Sequence, residues 1–273
     1  MSEVDDYLAA LQKFREYYDF LVKVHDAARK QTVEPRRGWA NVLLFRLTVA
    51  ATSILKLTSP SEETEKEAGI EWFVLDHPSI AVIGRMIVDA AILFGYISDL
   101  HIANDEWELR MHILELHDIT SRGRISGHLD KMKLGDEDGL ENEKRQERKR
   151  TLRKLISESP QFKALDQERQ KKIVDGSEVY LRGLRAAVRE MGQDVNHFDA
   201  IWANTSNFVH THPASHSRSE ALFVDQAANT LDLKNQFLQM DVVLDYCAGW
   251  LKFVVERTFL LYPELFLKGE RKH

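Results

Sequence analysis

A chain of 273 residues that is 44% hydrophobic can bury a sizeable core, as one helical domain or as two lobes, and this excludes disorder as its main state. A formal net charge of −6 leaves no overall basic footprint for nucleic acid, so any such contact must be local. The single cysteine, Cys247, excludes an intramolecular disulfide and any metal site built on several thiolates.

The N-terminal stretch MSEVDDYLAALQKF opens acidic and lacks the basic and apolar regions of a signal peptide, so a cytoplasmic location is expected. Tyr7, Leu11, Phe14, Tyr18 and Leu21 recur at three- and four-residue steps, which predicts a first helix to about residue 30. Pro35 and Gly38 punctuate the chain. A second helix is expected from Trp39 to Leu57, with Arg46 the only charge in its middle, followed by the polar segment TSPSEETEKEAG. Asp76-His77-Pro78-Ser79 is a helix-start signal leading into the apolar run 79–97.

That run and residues 242–261 approach transmembrane length. Arg85 and Asp89 in the first, and Asp245, Lys252, Glu256 and Arg257 in the second, would each cost about 2.5 to 3.5 kcal/mol near a bilayer centre. Buried core helices and no membrane partner are expected instead. An amphipathic helix follows over about 104–117, and Gly123, Gly127 and Gly135 predict a break after it. Residues 136–175 are dominated by charge, with Leu152, Leu155 and Ile156 as apolar anchors, and read as a charged helical insertion or arm.

Helical character returns at Val179, Leu181, Leu184, Ala187 and Val188, ends at Gly192, and resumes from Asn196 to about His210, where Pro213 stops it. Ser217-Arg-Ser-Glu220 reads as a capping box ahead of a long last helix ending at Tyr262-Pro263. No run alternates with period two and no internal repeat is evident, so the class expected is all-α, a multi-helix bundle with the charged arm.

Four side chains stand out as candidate site residues. Arg85 and Asp89 lie four apart, on one face of a helix otherwise apolar all round, so they should pair with each other or with polar groups of neighbouring helices. Such a pair either fixes helix register or lets Arg85 position an anion and Asp89 a hydroxyl. Ser206 and His210 share the same spacing and have the geometry for nucleophile activation, although no acid partner or oxyanion donor is identifiable. His210 and His212 alternatively cap a helix C-terminus, where imidazolium suits the dipole. A metal reading takes His210 and His212 as ligands, with His197, Asp199 and His216 near in sequence, but the spacing fits no strong template. Asp241, Asp245, Lys252 and Glu256 form a polar stripe on the last helix, facing either solvent or a cleft shared with Arg85.

The combination HPSIAVIGRMIVDAAILF with IWANTSNFVHTHP resembles an uncharacterised family of bacterial helical proteins that pair an Arg-x-x-x-Glu helix with a Ser-x-x-x-His segment, over about residues 40–260. Aspartate at Asp89 replaces the more usual glutamate and shortens its reach. That family is in general form similar to HEPN-type helical domains, which bind nucleotides or cleave RNA in toxin–antitoxin and phage-defence systems. The resemblance would place a ribonuclease Arg and His at positions like Arg122 and His128, where the surrounding glycines predict no helix.

The resulting expectation is an interaction or small-ligand-binding module in a stress or defence context, with Arg85, Asp89, Ser206 and His210 forming one polar cluster and no cofactor. The alternative is an enzyme, either a HEPN-like metal-independent ribonuclease or a metal-dependent hydrolase using His210 and His212. A homodimer is the expected assembly.

Overall fold

The computed structural model describes residues 3–30, 34–58, 77–132, 139–209 and 226–265, and among these the chain is an all-α multi-helix bundle with no strand. Its helices are α1 (Glu3–Ala28), α2 (Pro35–Leu57), α3 (His77–Ile97), α4 (Asn104–Lys131), α5 (Gly139–Glu158), α6 (Pro160–Lys163), α7 (Gln167–Val174), α8 (Leu184–Glu190), α9 (Val195–Val209) and α10 (Gln226–Leu261). They divide into two compact units. The first takes residues 1–98 and 195–273, and the second residues 99–194.

In the first unit α3 is apolar all round apart from Arg85 and Asp89, and a helix of that kind is stable only when largely surrounded. It packs against α2, α9 and α10, with Ile80, Ile87, Ile92 and Phe94 fully buried. α1 lies along α10 and α2 and contributes Phe14 and Leu21, the stripe its periodicity predicts. The Tyr262 hydroxyl lies 2.6 Å from Asn41 Oδ1 and 3.0 Å from the Arg37 carbonyl, tying the end of α10 to the start of α2. Pro35 stands in the first turn of α2, where its missing N–H has no helical partner to lose, so it opens the helix a few residues before Trp39.

α2 and α3 are, among the described residues, long and apolar enough to cross a membrane by length and composition. α3 is largely buried. α2 differs, because Trp39, Val42, Phe45 and Val49 leave one of its faces exposed.

The second unit has its own core of Leu109, Ile113 and Leu116 from α4, Leu152 and Ile156 from α5, Phe162, Ile173 and Leu181. The described residues of the charged stretch 136–175 supply α5, α6 and α7. Their polar side chains face water while Leu152, Ile156, Phe162 and Ile173 are buried, so a few anchors in a charged sequence suffice to dock it on α4. The break expected at Gly123 and Gly127 does not occur, and α4 continues to Lys131. A glycine costs a helix about 1 kcal/mol relative to alanine. Packing on α5 offsets this at Gly123, where an added Cβ would stand 3.4 Å from Lys149 Nζ and 3.9 Å from Arg145 Cδ. Four charged side chains brace the unit, with Arg110 and Arg182 both bound to Glu106 and both within 3.3 Å of Glu190.

Candidate functional site

Three of the four candidate residues meet in the first unit. An added Cβ at Gly84 would stand 2.9 Å from Val243 Cγ1 and 3.1 Å from Cys247 Sγ, so this residue sets α3 close against α10. The next residue, Arg85, is turned about 100° round the helix. Its guanidinium reaches α9, where Nη1 donates to Ser206 Oγ at 2.6 Å and to the Trp202 carbonyl at 3.4 Å. Nε donates to the Asp89 carboxylate at 3.3 Å. The guanidinium lies over the Trp202 ring, a face-on contact that suits a delocalised cation. Trp202 and Ser206 sit one turn apart on α9 and so present themselves together, as Arg85 and Asp89 do on α3.

The Arg85 side chain is 17% exposed and that of Asp89 49%. Lost hydration holds the Asp89 carboxyl above its ordinary range, against the opposing pull of Arg85 and of Arg46 from α2. Burial likewise draws the Arg85 value down, opposed by Asp89.

Ser206 Oγ accepts from Arg85 and donates its own proton to the Trp202 carbonyl at 2.6 Å. A hydroxyl whose proton is held by a backbone carbonyl, and whose lone pair faces a cation, is a positioning group and a poor nucleophile. The Cys247 thiol is also inert, since full burial pushes its pKa up to about 12.

No known protein family, curated protein or solved structure matches this chain. His210 and His212 lie outside the described residues, as does the capping box at 217–220. The described residues alone assemble no group of three or more metal-ligating side chains, and His197 instead packs its ring on Tyr246, 4.8 Å between centroids. The polar stripe of α10 pairs elsewhere, Asp245 with Lys13 at 2.6 Å and Lys252 with Glu256 at 3.7 Å, and neither contact involves Arg85. Arg122 and His128 stand on α4 after all, both exposed and six residues apart, with Arg122 bonded to Asp118. Residues three, four or seven apart share a helix face, and this spacing does not.

Two participants were not among the candidates. Trp202 stands one turn before Ser206, but that spacing does not mark a stacking partner. Arg46 reaches Asp89 only through tertiary packing.

Proposed function

We propose that this chain is a small-ligand-binding module, and that the cluster of Arg85, Asp89, Trp202 and Ser206 takes a small molecule carrying an anionic group beside a hydroxyl. One observation carries the reading. Arg85 is held at Nε by Asp89, at Nη1 by α9 and at its face by Trp202, while Nη2 has no protein partner among the described residues. A guanidinium fixed in this way presents two preorganised donors to an oxyanion. The half-exposed Asp89 carboxylate beside it accepts from a hydroxyl. The stress or defence context rests on the motif resemblance alone.

Calorimetric titration of the full chain with a panel of hydroxy acids, read also by tryptophan emission, tests the proposal. Saturable binding is expected for at least one compound, weakened about 10- to 100-fold by Arg85→Met, which removes a charge-assisted bond and keeps the apolar stem. Equal affinity in wild type and variant, or no binding across the panel, would refute it.

The homodimer also stands as a proposal, supported by the exposed stripe of Trp39, Val42, Phe45 and Val49 on α2. A second copy covers such a stripe without any further protein, because an isologous contact sets the same face against itself. Light scattering is expected to give a dimer for the wild type and a monomer for Phe45→Glu, a change at an exposed position that leaves the protomer folded. A wild-type monomer would remove the dimer.

A further inference from the structure

The second unit carries an accumulation of cations that none of the readings above uses. Arg145, Lys149 and Arg153 recur every four residues along α5, and steps of four keep them on one side of the helix. That side meets α4 at Gly123, where bare backbone lets the Lys149 ammonium lie across the helix. Arg124 follows Gly123 on α4. Arg153 directs Nε to the Val174 carbonyl at 3.0 Å, which anchors its stem and leaves its Nη groups without a partner among the described residues.

Several other cations on these two helices are answered by a carboxylate, whereas Arg150 donates to the Gln146 carbonyl at 3.4 Å. Arg148 is bound in fork geometry to Glu115, at 2.6 and 2.7 Å, Arg122 to Asp118, and Lys154 to Glu158. Lys149, Arg124 and Arg153 have no such answer among the described residues. Burial lowers the Lys149 pKa first, and the charges of Arg153, Arg145 and Arg124 lower it further, with no carboxylate opposing them among the described residues. An ammonium placed among three guanidinium groups is unfavourable when the place is empty and favourable when an anion of more than one charge fills it.

We propose that Arg124, Arg145, Lys149 and Arg153 form a binding site for a phosphate-class oxyanion on the α4–α5 face of the second unit. The convergence on a single ammonium favours a compact multiply charged group over a singly charged carboxylate. Guanidinium groups supply the paired donors that phosphate oxygens accept.

Calorimetric titration of the full chain with inorganic pyrophosphate is the test. Saturable one-to-one binding is expected, weakened by added salt and reduced at least about tenfold by Lys149→Met. Arg124→Gln alters an exposed side chain without disturbing the fold and is expected to weaken binding as well. Lys154→Gln, on the same helix but answered by Glu158, is expected to leave it unchanged. So is Arg85→Met, which separates this site from the one in the first unit. The proposal is overturned if pyrophosphate shows no saturable binding, if Lys154→Gln weakens it as much as Lys149→Met, or if Arg85→Met alone abolishes it. It is overturned equally if a single-stranded oligonucleotide binds through these residues while pyrophosphate does not, since that marks a nucleic-acid track.

Discussion

Replacing Glu106 by alanine is expected to destabilise the second unit by about 3 to 5 kcal/mol, the loss typical when one partner is taken from a buried ion pair. Glu106 is the hinge of the network. Its Oε1 accepts from Arg110 Nε at 3.1 Å, Arg110 Nη2 at 2.6 Å and Arg182 Nη1 at 2.9 Å, and its Oε2 accepts from Arg182 Nη2 at 3.1 Å. The Arg110 side chain is only 3% exposed, so the alanine variant strips a buried guanidinium of its Glu106 bonds and leaves Glu190 beside it, at 3.3 Å. Hydrogen exchange of the α4 and α5 amides reads the loss in this unit by itself, and protection equal to wild type would show that the network contributes little.

The same carboxyl sets a pH signature. Hydrogen bonds from Arg182, reinforced by those from Arg110 and opposed by burial, hold the Glu106 pKa below its ordinary value. A native pKa lower than the unfolded one means the contribution is complete above the unfolded glutamate value, about 4.3, and is lost as pH falls through the native value. The acid limb of the unfolding curve should therefore flatten in Glu106→Gln.

The parts of the fold that follow from short-range pattern were legible in the sequence. The three- and four-residue steps from Tyr7 to Leu21 place α1, and Asp76-His77-Pro78 places the start of α3. What depends on contacts distant in sequence was not. Gly123 and Gly127 argue for a break by local propensity, and α4 crosses both; α5 packs at Gly123, while nothing lies within 4 Å of an added Cβ at Gly127. The boundaries of the two units were hidden as well, since the first is built from both ends of the chain and joins α3 to α9 and α10 across the whole second unit.

The site shows the same division. The cost of burying a lone charge in an apolar helix required partners for Arg85 and Asp89, and Ser206 proved to be one of them. The requirement did not say that a tryptophan face would be another, because stacking leaves no spacing rule in the sequence. Arg46, on a third helix, is placed near Asp89 only by the packing of α2 on α3.

Gly84→Val is expected to cost about 3 kcal/mol and to weaken the Arg85 site with it. A side chain at this position points into α10, with Val243 Cγ1 2.9 Å and Cys247 Sγ 3.1 Å from the first added carbon. α10 cannot simply withdraw, because α1 packs along it and Val243 and Cys247 are themselves buried. Valine gains about 0.4 kcal/mol over glycine in helix propensity, far less than the upper range of overpacking in a close-packed seam, about 3 kcal/mol. The strain is relieved by displacing α3, and Arg85 is the next residue along. A shift of that helix draws Nη1 away from Ser206 and the guanidinium off Trp202, so ligand affinity falls even in the fraction that stays folded. Val243→Ala removes the closest of the clashing atoms, and the double variant is expected to recover part of both losses, as coupled neighbours do. Thermal unfolding and ligand titration of the two single variants and the double variant measure this. A Gly84→Val protein as stable as wild type would mean that α3 and α10 have room to spare at this seam, and that the position of Arg85 is set from α9 alone.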